Sequence, residues 1–180
     1  MALMEIQASR LRARTDSSGE PILLLDQDRG RWDQLLLRRG LAALDRAEKL
    51  SSPLGPYTVQ AAIAACHARA RTAGETDWPR IAALYDALAQ LMPSPVVELN
   101  RAVAVSMAFG PAEGLELVDA LTEAPALKSY YLLPTVRGDL LVKLGRGAEA
   151  RAEFERAAGL TSNTRERALL LARAADCSDG

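Results

Sequence analysis

The sequence predicts an all-α protein, an array of antiparallel helical hairpins (an α-α superhelix) with about eight or nine helices, on three observations. Apolar residues recur at three- and four-residue spacing along almost the whole chain, strict alternation over a strand length is absent, and Gly, Pro and Ser clusters cut the pattern at intervals of one helix. With 180 residues, 49% of them hydrophobic, the chain can bury one sizeable core or a continuous core of stacked repeats. Its segmentation reads as 1–56, N-terminal helices around a polar loop, and 57–180, helical hairpins with a closing helix, together one continuous unit.

Taken in order, the elements follow from their breakers. "TDSSGEP" (15–21) ends the first helix, and the polar run "DQDR" (26–29) precedes a helix expected to start near Arg29 to Trp32. "SSPLGP" (51–56) separates that helix from an Ala-rich one, and "TAGETDWP" (72–79) and "MPSP" (92–95) bound the next. "GP" (110–111), "EAP" (123–125), "GRG" (145–147) and "GLTSN" (159–163) divide the remainder, leaving a closing helix at about 163–175. Turns this short make neighbouring helices pack as hairpins.

A repeat supports the array. At a constant offset of 36, residues 100–121 align with 136–157, placing Arg101 on Arg137, Ala102 on Gly138, Val105 on Leu141, Gly114 on Ala150 and Val118 on Phe154. Ala150-x3-Phe154-x2-Ala157 resembles the tetratricopeptide pattern, in which a small residue lets two helices approach and an aromatic fills the gap between hairpins. Ile81, Tyr85 and Leu88 stand in comparable places in an earlier hairpin near 57–91, which makes three TPR-like hairpins. Phe154, Tyr85, Leu141 and Val118 are accordingly expected in the core.

Composition excludes several functions. Residues 1–72 carry a balance of +3 and residues 73–180 one of −4, and the pI near 5.9 lacks the basic footprint of a nucleic-acid binder. No run of about 18 apolar residues occurs, and Glu5 and Gln7 interrupt the segment where a signal peptide needs its apolar stretch, so a cytoplasmic location is expected. Cys66 and Cys177 stand far apart with no CxxC spacing and read as ordinary thiols.

Enzyme signatures are missing as well. His67, the single histidine, sits on the Ala-rich helix and reads as packed or solvated, and neither a nucleophile elbow nor a phosphate-cradling loop is present. Asp26 and Asp28 stand at positions one and three of a calcium loop, but Arg31 and Leu37 occupy the positions that need glycine and glutamate. As an acid pair for glycoside chemistry they lack an aromatic cleft. The chain is therefore expected to be no enzyme and to hold no metal or cofactor. Asp28 is expected to cap the following helix, Asp26 to pair with Arg29 or Arg31, and Trp32, Leu35, Leu36 and Leu37 to bury that helix.

A cap accounts for one aspartate and leaves the rest of the cluster. The stretch "LLLDQDRGRWDQLLLRRGLAALDRA" resembles the DQDR-bearing segment of the C-terminal, TPR-like extension of a group of bacterial extracytoplasmic-function (ECF) sigma factors. The stretches from Glu75 to Leu121 and from Tyr130 to Thr161 resemble the rest of it, so that the resemblance spans residues 3 to 175. "MALMEIQASRLRAR" is similar to the helix joining the promoter-binding region to the extension, which implies that the chain is the extension alone. The resemblance implies a regulatory, protein-interaction domain in place of a separate anti-sigma protein. Its implied partners are the core-binding and promoter-binding regions of the same polypeptide and RNA polymerase core. Neither nucleic acid nor membrane is expected to be contacted. Asp26, Gln27, Asp28 and Arg29 are the expected interaction face, with Trp32 anchoring their loop. The alternative is a free-standing TPR-like adaptor holding a peptide in its concave groove through Asn100, Arg101 and Arg137.

Overall fold

The computed structural model describes residues 1–17, 19, 22–50 and 54–177, so parts of the breakers at 15–21 and 51–56 lie outside the described residues. Among these residues the regular structure is helical, with nine α-helices and four short 3₁₀ turns, and no β-sheet forms. The helices gather into two compact units, Met1–Met92 and Pro93–Gly180. The sequence division at 56 and 57 lies within the first of these.

In the first unit, α1 (Ala2–Ser9) pairs with α2 (Gln34–Leu50), α3 (Pro56–Arg69) touches both, and α4 (Trp78–Leu91) packs on α3. Gly40 sets the first pairing: a Cβ there would lie 2.7 Å from Ile6 Cγ1 and 3.0 Å from the Ile6 amide nitrogen, so only glycine lets α1 settle this close. Helix α3 opens with Pro56, whose fixed φ suits a helix start, and every residue from 61 to 67 is buried. Its alanines explain that placement, since a helix with small side chains on every side can be surrounded by three others. Asp77 caps α4, its Oδ1 accepting from the Arg80 amide at 3.0 Å.

The second unit runs α5 (Pro95–Phe109), α6 (Pro111–Leu121), α7 (Leu132–Lys143), α8 (Gly147–Leu160) and α9 (Thr164–Asp176), each packing on its successor. Its core holds Phe154, Leu141 and Val118 with at most 1% of their surface exposed, as the repeat predicts, whereas Tyr85 in the first unit is only half-buried. The aligned small residues are where the helices touch. A Cβ on Gly114 would meet Ser106 Cβ at 2.4 Å, and one on Gly138 would meet the Phe154 ring at 2.7 Å. Each hairpin thus carries one Ala and one Gly at its aligned positions, Ala102 with Gly114 and Gly138 with Ala150. The closing helix α9 is capped by Asn163, whose Oδ1 accepts from the amides of Arg165 and Glu166. No described helix is long and apolar enough to cross a membrane.

Candidate functional site

The DQDR loop lies in the first unit and is held from both ends. Ahead of it, the Ile22 amide donates to the Arg14 carbonyl at 2.8 Å, and behind it the Asp33 amide donates to the Ser9 carbonyl at 2.8 Å. Inside the loop, Gln27 is 9% exposed and its Nε2 donates to the Ile22 carbonyl at 3.1 Å. Trp32 is 3% exposed and anchors the loop in the core shared by Ile6, Leu44 and Ala65.

Arg29 points inward. Its Nη1 donates to the carbonyls of His67 (2.8 Å) and Ala70 (2.6 Å), and its Nη2 lies 3.4 Å from Thr76 Oγ1. Those carbonyls belong to the end of α3, where helical carbonyls lack helical partners, so a guanidinium supplies donors and opposes the negative end of the helix dipole. The same group stands 5.6 Å from the centre of the Trp32 ring, and Arg10 stands 5.8 Å from it. Burial, then the charges of Arg10 and Arg29, push the His67 imidazole down to about 4, so it is neutral at physiological pH. Its ring packs edge-on against Trp78, 5.2 Å between centres. Arg10 Nε, Gln27 Oε1, Trp32 Nε1 and His67 Nδ1 are all buried without a hydrogen-bond partner among the described residues.

Three local expectations need correcting. Asp28 caps only the 3₁₀ turn Arg29–Arg31, its Oδ1 accepting from the Gly30 amide at 2.9 Å; α2 begins at Gln34 and is capped by Asp33, whose Oδ1 accepts from Leu35 and Leu36. Asp26 pairs with neither Arg29, which is spent on α3, nor Arg31; it is exposed. Leu35 is 62% exposed because the later helix start turns it away from the core, while Leu37 remains buried. The loop therefore divides, with Gln27, Arg29 and Trp32 inside and the carboxylates of Asp26 and Asp28 outside.

The groove residues lie in the second unit. Asn100 is exposed, Arg101 Nε donates to Glu98 Oε2 at 2.7 Å, and Arg137 bridges Asp119 (2.7 Å) and Glu153 (3.0 Å). Burial opposes the Arg137 charge, but the two carboxylates outweigh it and raise its pKa further. No group of three or more His, Cys, Asp or Glu side chains suited to a metal occurs among the described residues. Sequence reading missed the Asp33 cap and the inward turn of Arg29; the first was available in "DQLL", while the second has no sequence signal, because its partners are main-chain carbonyls.

Residues 1–48, which include the whole DQDR loop, match a family described as a family of unknown function (DUF6596). Over 169 residues the chain is 48% identical to an uncharacterized protein, R00370, of Rhizobium meliloti (strain 1021), a match covering 94% of this chain and 39% of that protein. The chain thus spans about two-fifths of the length of this curated relative. No solved structure matches it.

Proposed function

We propose that the chain is the regulatory, protein-interaction domain of a bacterial ECF-type sigma factor, without catalytic activity of its own, acting in the cytoplasm on the sigma regions or on RNA polymerase. The observation that carries this reading is the construction of the loop. Arg29 and Trp32 fix its backbone to the helices and Gln27 ties it internally to the Ile22 carbonyl, while Asp26 and Asp28 present two carboxylates outward, neither in an ion pair among the described residues. A rigid loop displaying charge suits a docking surface, since little conformational entropy remains to be lost on binding. Correspondence to part of a longer relative fits a module that works beside other domains. The adaptor reading draws less support, because Arg101 and Arg137 are occupied by carboxylates of their own unit.

The test is transcription by polymerase with the full-length sigma polypeptide, comparing the parent with Asp26→Asn, Asp28→Asn and the double variant. Asparagine keeps the Asp28 oxygen that accepts from Gly30, so the fold is retained while the charge goes. Transcription from the cognate promoter should change several-fold, with the melting temperature of the domain nearly constant. Parent-like transcription from all three variants would refute the docking role.

A further inference from the structure

A second site lies in the first unit where α3 hands over to α4. A cleft of about 270 Å³ is lined by Cys66, Arg69, Arg71, Glu75, Asp77 and Arg80. Both carboxylates on its wall are already engaged by main-chain amides: Glu75 Oε2 accepts from the Arg71 amide at 3.1 Å, and Asp77 Oδ1 accepts from the Arg80 amide at 3.0 Å. Arg69 is paired with Asp45 at 3.0 Å. Arg71 and Arg80 remain exposed, and neither enters an ion pair among the described residues. The negative end of α3 does not compete for them, because Arg29 takes the His67 and Ala70 carbonyls, and the opening turn of α4 adds its positive end to the same cleft.

Two arginines that line one confined space outside any ion pair among the described residues suit an oxyanion, since each guanidinium offers a planar fork of donors to two oxygens at once. The cleft falls below the range of drug-sized ligand pockets and suits a small anion. We propose that this cleft binds a small doubly charged oxyanion, a phosphate group or a dicarboxylate, between Arg71 and Arg80. Because the segment from Ala70 to Thr76 also holds Arg29, an occupied cleft stabilises the anchor of the DQDR loop.

Calorimetric titration of the full chain with inorganic phosphate, and separately with succinate, each against KCl of equal ionic strength, tests this. Saturable binding is expected in at least one arm, with a rise of a few degrees in melting temperature at saturation. Phosphate alone identifies a phosphate group, succinate alone a dicarboxylate, and both a site for the shared oxyanion. The Arg71→Gln/Arg80→Gln variant should bind at least about tenfold more weakly, since it loses two charge-assisted grips. Asp77→Asn keeps the α4 cap but removes a repelling charge, so it should bind more tightly, a gain that misfolding cannot imitate. The proposal falls if neither anion exceeds KCl, if the double arginine variant binds like the parent, or if Asp77→Asn weakens binding.

Discussion

Replacing Arg29 probes how the exposed loop is attached to the helices. Arg29→Met keeps the length and apolar stem of the side chain but deletes the donors that reach the His67 and Ala70 carbonyls at 2.8 and 2.6 Å. A hydrogen bond to a charged group contributes about 1.5–3 kcal/mol in favourable settings. The site is half-buried rather than dry, so the low end applies, and two such bonds with the Trp32 contact give about 3–4 kcal/mol. For a chain of this size that corresponds to a fall of roughly 6–16 °C in melting temperature. Arg29→Lys retains the charge but reaches one atom less far and loses the Nη2 contact to Thr76 and the planar face beside Trp32, and should lose about half as much. Thermal unfolding followed by far-UV circular dichroism measures both, and amide hydrogen exchange over residues 22–33 locates the effect. If Arg29→Met melts within about 2 °C of the parent, less than the loss of even one such bond predicts, the inward geometry contributes nothing and Arg29 belongs to the exposed face after all.

Two further outcomes follow from burial. Phe154→Ala should cost about 3–5 kcal/mol, and Gly138→Ala, whose Cβ would press on that ring at 2.7 Å, about 1–3 kcal/mol; combined, they should cost less than their sum because the ring that the added methyl strikes is gone, and strict additivity in chemical denaturation would contradict this packing. His67 holds its pKa near 4 when folded against 6.5 when exposed, so between these values the unfolded chain binds more protons; its contribution, at most about 3 kcal/mol, is fully present above pH 6.5 and lost as pH falls toward 4, and a stability profile over that window unchanged by His67→Gln would refute it.

The helices were legible because their ends are chemical. Pro56, Pro95 and Pro111 open helices, Gly110 and Gly145 take positive φ at turns, and the small residues at the 36-residue offset mark the close crossings. The loop was legible only where its interactions are local. Trp32 could be placed inside from its size and the leucines after it. The start of α2 could not be read, because Asp28 and Asp33 are both competent caps five residues apart and the packing of the following leucines decides between them. Arg29 was hidden for a different reason: its partners are carbonyls 38 and 41 residues further on, and every residue type offers a carbonyl.

That difference bears on how a polar motif should be read. DQDR looks uniform in sequence, four hydrophilic residues in a row, yet the fold uses them in two ways. Gln27 and Arg29 give up hydration to satisfy main-chain carbonyls, while Asp26 and Asp28 keep theirs. The inner pair alone would account for a rigid loop with no purpose beyond stability, and the outer pair alone for a charged loop too mobile to be a specific surface. Only together do they hold two carboxylates at a fixed place on the first unit. Substitutions in the two pairs should therefore fail differently, the inner ones through melting temperature and the outer ones through activity in a domain that melts like the parent.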